Sequence, residues 1–251
     1  MPVEKGDFVI VDYIALTKED GEEKVFDTTI EEEAKKAELS LESFGPILVV
    51  IGEGRLLSSV EEALIGVEEG EWKTIELPPE KAFGKRDKSK IITVSARELS
   101  RQGIVPRPGE SITFEYKRKR YMGRIIHVGG GRVIVDTNHP LAGKNVVYKV
   151  KVVKIIRDLN GKIDALLHRW FGDIEGCEVK IDDGRVTVTL PEDLLVVERL
   201  GIFVRGLARD IEKHLPDVKE FSVTFRFTFE RAEEKKEEEP QQEKAVAPEG
   251  T

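Results

Sequence analysis

The side chains able to do polar chemistry are few and scattered. Cys177 is the only cysteine. It forms no internal disulfide, and beside Gly176 with no partner motif it reads as a buried, inert thiol. His127, His139, His168 and His214 lie far apart along the chain, so no metal centre is expected. Gly129-Gly130-Gly131 is followed by neither a helix nor a Lys-Ser/Thr pair, which speaks against a phosphate loop. Lys117-Arg118-Lys119-Arg120, flanked by Tyr116 and Tyr121, has the composition of a nucleic-acid patch. A solvated β-turn explains it as well, and the net charge of −8 opposes phosphate binding. Nucleophilic, metal, cofactor and nucleic-acid chemistry are all disfavoured.

The elements that must position a site come in three units. The first is β-rich. Phe8 to Leu16 is a β-branched and aromatic run that stops at Glu19-Asp20-Gly21, and Lys24 to Thr28 and Ile47 to Ile51 are further strands. Ser58 and Ser59 stand at capping-box spacing from Glu61 and Glu62, which predicts a short helix ending by Gly66. Trp72 to Leu77 alternates as a strand before Pro78-Pro79. A second unit starts near Lys85, with a strand over Ile91 to Val94 and a helix opened by the Ser95/Glu98 box. A meander follows over Ser111 to Tyr116, Tyr121 to Val128 and Arg132 to Val135. The long strand Asn145 to Ile156 is like the first unit in character, so the middle unit interrupts it. The third unit predicts a helix over Ile163 to Phe171 and a hairpin around Asp182-Asp183-Gly184. It also predicts a long helix from about Asp193 to His214 and a half-buried strand carrying Phe221, Val223, Phe225, Phe227 and Phe229. From Arg231 on, seven glutamates and no aromatics predict a disordered acidic tail.

Four motifs occur in order: Val25-Phe26-Asp27-Thr28, Ile51-Gly52-Glu53-Gly54-Arg55-Leu56-Leu57, Pro79-Glu80-Lys81-Ala82-Phe83-Gly84 and Asn138-His139-Pro140-Leu141-Ala142-Gly143. Together they resemble the FKBP-type peptidyl-prolyl isomerases. The SlyD-like branch, with an insert-in-flap domain between the third and fourth motifs, is most similar, and the third unit resembles the long archaeal form. The resemblance implies an α+β chain: an antiparallel sheet wrapped on a short helix (1–84 and 137–156), an inserted small α+β, β-rich domain (85–136), a separate C-terminal α+β domain (157–230) and the tail (231–251).

Carried over position by position, the family's catalytic groups fall on Tyr13, Phe26, Asp27, Leu57, Phe83 and Tyr148. Ile47, Val49, Leu56 and Val60 complete the proline pocket, and Leu141 closes one side. Val60 stands where the family often has a pocket-floor Trp, and Phe83 where it often has a Tyr. The resemblance therefore implies a wider, shallower floor, one hydrogen bond fewer to the substrate and weak macrolide binding, with catalysis kept. Asp27 either orients Tyr13 or meets the rotating carbonyl. No cofactor or metal is implied, and the His/Cys-rich tail that some relatives use for nickel is missing. The insert implies holdase activity on unfolded, proline-containing polypeptides, with Ile91, Tyr121 and Met122 as its contact residues. Ile104, Tyr116 and Ile125 share those strands, and some of the six must be core. The competing reading is a non-catalytic peptide-binding or assembly module on the same fold.

Composition fits this picture. The 251 residues exceed one small domain, with about two as the length prior. No apolar run reaches the ~18 residues of a membrane span, and MPVEKGDF lacks the apolar core of a secretory signal. A cytoplasmic protein with no membrane partner is expected. Asn and Gln number three each, Cys and Met three together, against 40 Lys and Arg and 48 Asp and Glu, the bias of a thermophile. The excess of apolar residues in the third unit, Trp170, Phe171, Val196, Val197, Phe203 and Val204 included, predicts a homodimer through the C-terminal domain.

Overall fold

Strand β1 (Phe8–Glu19) is the spine of the molecule. In this computed structural model, which describes residues 1–19, 21–41 and 43–227, both edges of β1 are paired. One edge takes β2 (Glu22–Thr28) along its second half and β3 (Ile47–Val50) along its first, both antiparallel. Between these two strands lies α1 (Glu31–Lys36), a helix not expected from the sequence. Its three leading glutamates and two trailing lysines suit the helix dipole. Next come α2 (Ser58–Leu64) and β4 (Trp72–Leu77).

The insert follows, with β5 (Ile91–Ser95), α3 (Ala96–Arg101), β6 (Ser111–Tyr116), β7 (Lys119–Gly129) and β8 (Arg132–Asp136). These strands make an antiparallel sheet in the order β5-β8-β7-β6. Lys117 and Arg118 both take positive φ at the β6–β7 turn, the geometry of a two-residue hairpin loop, so the basic tetrad is a turn and the first two residues of β7. The chain then returns as β9 (Asn145–Ile156), which pairs with β1 and β4 and completes the first sheet.

The third unit starts with α4 (Leu159–Phe171), capped by Asp158, whose carboxyl oxygen accepts from the Gly161 N–H at 2.7 Å. Strands β10 (Glu178–Asp182) and β11 (Arg185–Pro191) form the expected hairpin. The long helix expected from Asp193 is shorter. A single 3₁₀ stretch covers Glu192–Val196, Arg199 turns left-handed at φ 62°, and α5 runs only over Leu200–His214. Val196 and Val197 therefore leave the helical arc and are exposed. Strand β12 (Glu220–Arg226) lies parallel to β11. Phe227 lies beyond it and is half exposed; Phe229 and the expected tail lie outside the described residues.

The C-terminal unit packs on the first sheet. Phe8, Leu48, Val50 and Ile156 of the first sheet are buried in one cluster with Ile163, Leu166, Leu207 and Ile211 of α4 and α5. Val9, Val11, Tyr13 and Val49 face the opposite way, into the core against α2. Buried on both faces, the first four residues of β1 (Phe8 to Val11) and all of β3 read as unbroken apolar runs rather than alternating strands. The surplus Trp170 and Phe171 are absorbed here too. The Trp170 ring lies flat against Gly206, where an added Cβ would come within 2.3 Å of it, and Phe171 packs against Phe203 with centroids 6.0 Å apart.

Candidate active site

Tyr13 from β1, Phe26 and Asp27 from β2, Val60 from α2 and Tyr148 from β9 converge on one end of the first core. Ring centroids lie 6.0 Å apart for Tyr13–Tyr148, 6.3 Å for Phe26–Tyr148 and 6.0 Å for Phe26–Phe83, the latter two pairs edge to face. Val49, Leu56 and Val60 are buried beneath them, with Ile47, Leu57 and Phe83 half exposed at the rim. The Tyr13 hydroxyl donates to Asp27 Oδ2 at 2.8 Å, so Asp27 orients Tyr13. Burial, reinforced by that bond, raises Tyr13 well above the usual phenol range. Burial and then the Asp27 charge push Tyr148 up to about 12. Both phenols stay neutral at any ordinary pH.

One wall is the 52–57 loop, whose Glu53, Gly54, Arg55 and Leu56 line a depression of about 360 Å³ with Tyr13 and Ile47. Glu61 builds this loop. Both of its carboxyl oxygens are engaged, accepting from the N–H groups of Gly52, Gly54 and Leu56 at 2.8–3.1 Å, and the side chain is 1% exposed. The expected capping box is thus not formed. Leu57 is the N-cap residue, with no side-chain cap, and Glu61 turns inward to the loop instead. The Ser95 box likewise makes no side-chain cap. Among the described residues, no group accepts from the Leu57 N–H. That donor stands at the rim beside the aromatic cluster.

The return motif closes the other side by different residues than the resemblance implied. His139, not Leu141, meets the cluster: its ring stacks on Phe83 at 4.5 Å with planes 1° apart. Leu141 is half-buried outside the cluster, its N–H directed at His139 Nδ1. Asn138 clips the two chain crossings together. Its side chain exchanges two 2.9 Å hydrogen bonds with the Asp87 backbone and donates to Asp136. Arg86 pairs with Asp136 at 2.6 Å, and Gly143 N–H donates to the Gly84 carbonyl. Burial works against ionisation of Asp136, but its bonds to Asn138 and Arg86 outweigh it and hold the carboxyl low.

In the insert, Ile125 is fully buried and Tyr121 stacks on Phe114, with Ile104 and Tyr116 in the same core. Ile91 is half-buried on β5. Met122 faces out, 73% exposed, and lines a cleft of about 400 Å³ with His139, Pro140 and Arg124. Ile126, missed in the sequence, is exposed as well, at the bulge where the β7–β8 register shifts. A further cleft, about 540 Å³, lies apart in the C-terminal unit beside His168 and Cys177. Burial and the neighbouring acids push the Cys177 thiol up, away from reactivity. Glu53, Asp210 and His214 bring ligand-type atoms within 4.8 Å of one another, but the cation bonded to both acids is the Arg169 guanidinium.

Comparisons with known proteins agree with this geometry. Residues 1–97 match the family model "FKBP-type peptidyl-prolyl cis-trans isomerase", 90–141 match "FKBP26, IF domain", and 159–229 match "FKBP26_C-terminal". The short-type peptidyl-prolyl cis-trans isomerase of Methanocaldococcus jannaschii is 38% identical over 152 residues, covering 60% of this chain and 92% of that protein. The SlyD isomerase of Helicobacter pylori is 27% identical over 54% of this chain and 66% of its own length. The FKBP-type 16 kDa isomerase of Escherichia coli is 33% identical over 44% of this chain and 74% of its own. An aromatic-walled end of an antiparallel sheet, an insert between the flap motifs and these likenesses lead to one conclusion: the chain belongs to the FKBP-type peptidyl-prolyl cis-trans isomerases.

Proposed function

We propose that the cluster of Tyr13, Phe26, Asp27, Leu57, Phe83 and Tyr148 rotates X–Pro bonds in unfolded chains, while the insert holds those chains nearby. Amide resonance sets a barrier of ~18–20 kcal/mol. Twisting the bond reduces its charge separation, so an apolar, dry pocket favours the twisted form over the planar one relative to water. The proline ring enters between Phe26, Leu57, Val60 and Tyr148, and the Leu57 N–H holds the chain. The observation carrying this reading is the Leu57 donor, without an acceptor among the described residues, beside four converging aromatic rings. Phe26→Ala and Leu57→Ala should each lower kcat/KM at least tenfold. A cavity there costs a few kcal/mol of stability as well, so a thermal melt accompanies the assay. Folded variants with unchanged rates would remove the pocket assignment.

Holdase action of the insert is supported by Met122, Ile126 and Val105, apolar side chains that its own core leaves exposed. Tethering a client beside the pocket raises its local concentration without new chemistry. Replacing residues 86–136 by a short loop should spare tetrapeptide turnover and slow proline-limited refolding of a whole protein. Equal loss in both assays would make the insert structural only.

Self-association is supported by Leu195, Val196, Val197 and Ile202, exposed around the start of α5. Truncation at residue 157 would uncover Phe8, Leu48 and Val50, so Val196→Glu with Ile202→Glu in the full chain is the cleaner test. Light scattering should give a dimer for the parent and a monomer for the variant. A monomeric parent at tens of micromolar ends the idea.

A further inference from the structure

The interface between the isomerase sheet and the C-terminal unit is largely apolar, with a buried polar cluster at one point. There Arg169 of α4, its side chain 7% exposed, reaches the 52–57 loop. Its two terminal nitrogens donate to both oxygens of Glu53, at 3.2 and 3.0 Å, to Asp210 Oδ2 at 3.2 Å and to the Leu48 carbonyl at 3.1 Å. The Trp170 indole N–H fixes Asp210 at 2.8 Å, and His214 Nε2 lies 3.6 Å from Glu53. Burial opposes ionisation of Glu53, yet Arg169 overcomes it and holds that carboxyl below its usual range.

Glu53 is no ordinary surface acid. It sits between Gly52 and Gly54, both at positive φ (97° and 84°), in a loop whose inner side is held by Glu61 alone among side chains described. A buried ion cluster contributes little net stability compared with the apolar packing around it. What a forked guanidinium supplies is geometry, because it fixes a carboxylate in direction as well as distance. Four residues beyond Glu53 is the Leu57 donor.

We propose that Arg169 is a positioning residue of the isomerase: through Glu53, the C-terminal unit sets the loop whose Leu57 N–H holds the substrate chain. This rests on the pocket reading above. A hydrogen bond to the chain is made in ground and transition states alike, so loosening it raises KM and leaves kcat.

The test measures kcat and KM of the full-length protein on an X–Pro tetrapeptide, with hydrogen exchange at the Gly54 and Leu56 amides, which donate to Glu61. Arg169→Met should raise KM by about tenfold with kcat within about twofold, the scale that slight misplacement of a binding group produces. Exchange at both amides should quicken. Arg169→Lys, which keeps charge but not the fork, should recover part of the loss. A folded Arg169→Met with unchanged KM and unchanged exchange overturns the proposal. If Arg169→Met does not fold, Glu53→Gln, nearly isosteric, carries the same test with the same outcomes. Failure of the pocket reading shows differently: Phe26→Ala would then leave turnover unchanged while the loop amides still responded to Arg169→Met.

Discussion

Phe83 and His139 flank the insert on its two sides and lie face to face, centroids 4.5 Å apart. The imidazole covers the outer face of a ring whose edge meets Phe26. It is itself held in the return turn by the Leu141 N–H, 3.2 Å from Nδ1. The stack makes the loop that leaves the insert part of the pocket rim.

His139→Ala should therefore free the Phe83 ring and lower kcat/KM severalfold, with little change in melting temperature because His139 is exposed. Stacked rings contribute about 0.5–1.5 kcal/mol beyond area burial, which bounds the stability loss. Peptide turnover and a thermal melt on one preparation check this; a large melting shift with unaltered turnover would assign the stack to stability.

Glu61→Ala should be among the most damaging single changes outside the aromatic cluster. It strands the N–H groups of Gly52, Gly54 and Leu56, the last of them in a buried bond, where an unsatisfied donor costs about 1–3 kcal/mol. Urea unfolding should show a loss of several kcal/mol, whereas Ser58→Ala, which removes no cap, should cost almost nothing.

Much of this was legible beforehand. The strands β1, β2, β4 and β9 and the insert's meander follow from β-branched runs and turn residues, and the ordered motifs located the aromatic cluster. Glu61 was misassigned because Ser-x-x-Glu spacing is satisfied equally by a cap and by an acid turned toward a preceding loop; the glycines of Gly52-Glu53-Gly54, which free backbone donors, were the available signal. The shared core was written in Ile47-Leu48-Val49-Val50, four apolar residues in a row where a half-buried strand alternates. Val196 and Val197 fitted a helical period, but Arg199 breaks the helix before it reaches them. Arg169 carried no signal of its own, since an arginine near a helix end is ordinarily solvated.

Gly206→Ala tests the packing of α4 on α5. Its Cβ would meet the Trp170 ring at 2.3 Å, and overpacking of this kind costs about 1–3 kcal/mol. A lowered melting temperature is expected, against the small gain that Ala gives in an open helix position. A raised one would mean that the ring moves freely.

The phenols give a pH signature. Tyr148 is pushed up to about 12 in the folded chain, against about 10 when unfolded. A raised folded value favours the neutral form, so this contribution is complete below pH ~10 and is lost as pH rises through the folded value. Stability should fall between about pH 10 and 12, and Tyr148→Phe should flatten that fall. An unchanged slope in the variant would place the alkaline loss elsewhere.

The most direct measurement of the central claim is amide NMR of the full-length protein titrated with a short X–Pro peptide. The largest shifts should gather at Leu57 and around Tyr13, Phe26, Phe83 and Tyr148, with exchange between cis and trans peptide accelerated in the same tube. Shifts confined to the insert or to the C-terminal cleft, or accelerated exchange with no response at Leu57 and its aromatic neighbours, would contradict the assignment of isomerisation to this pocket.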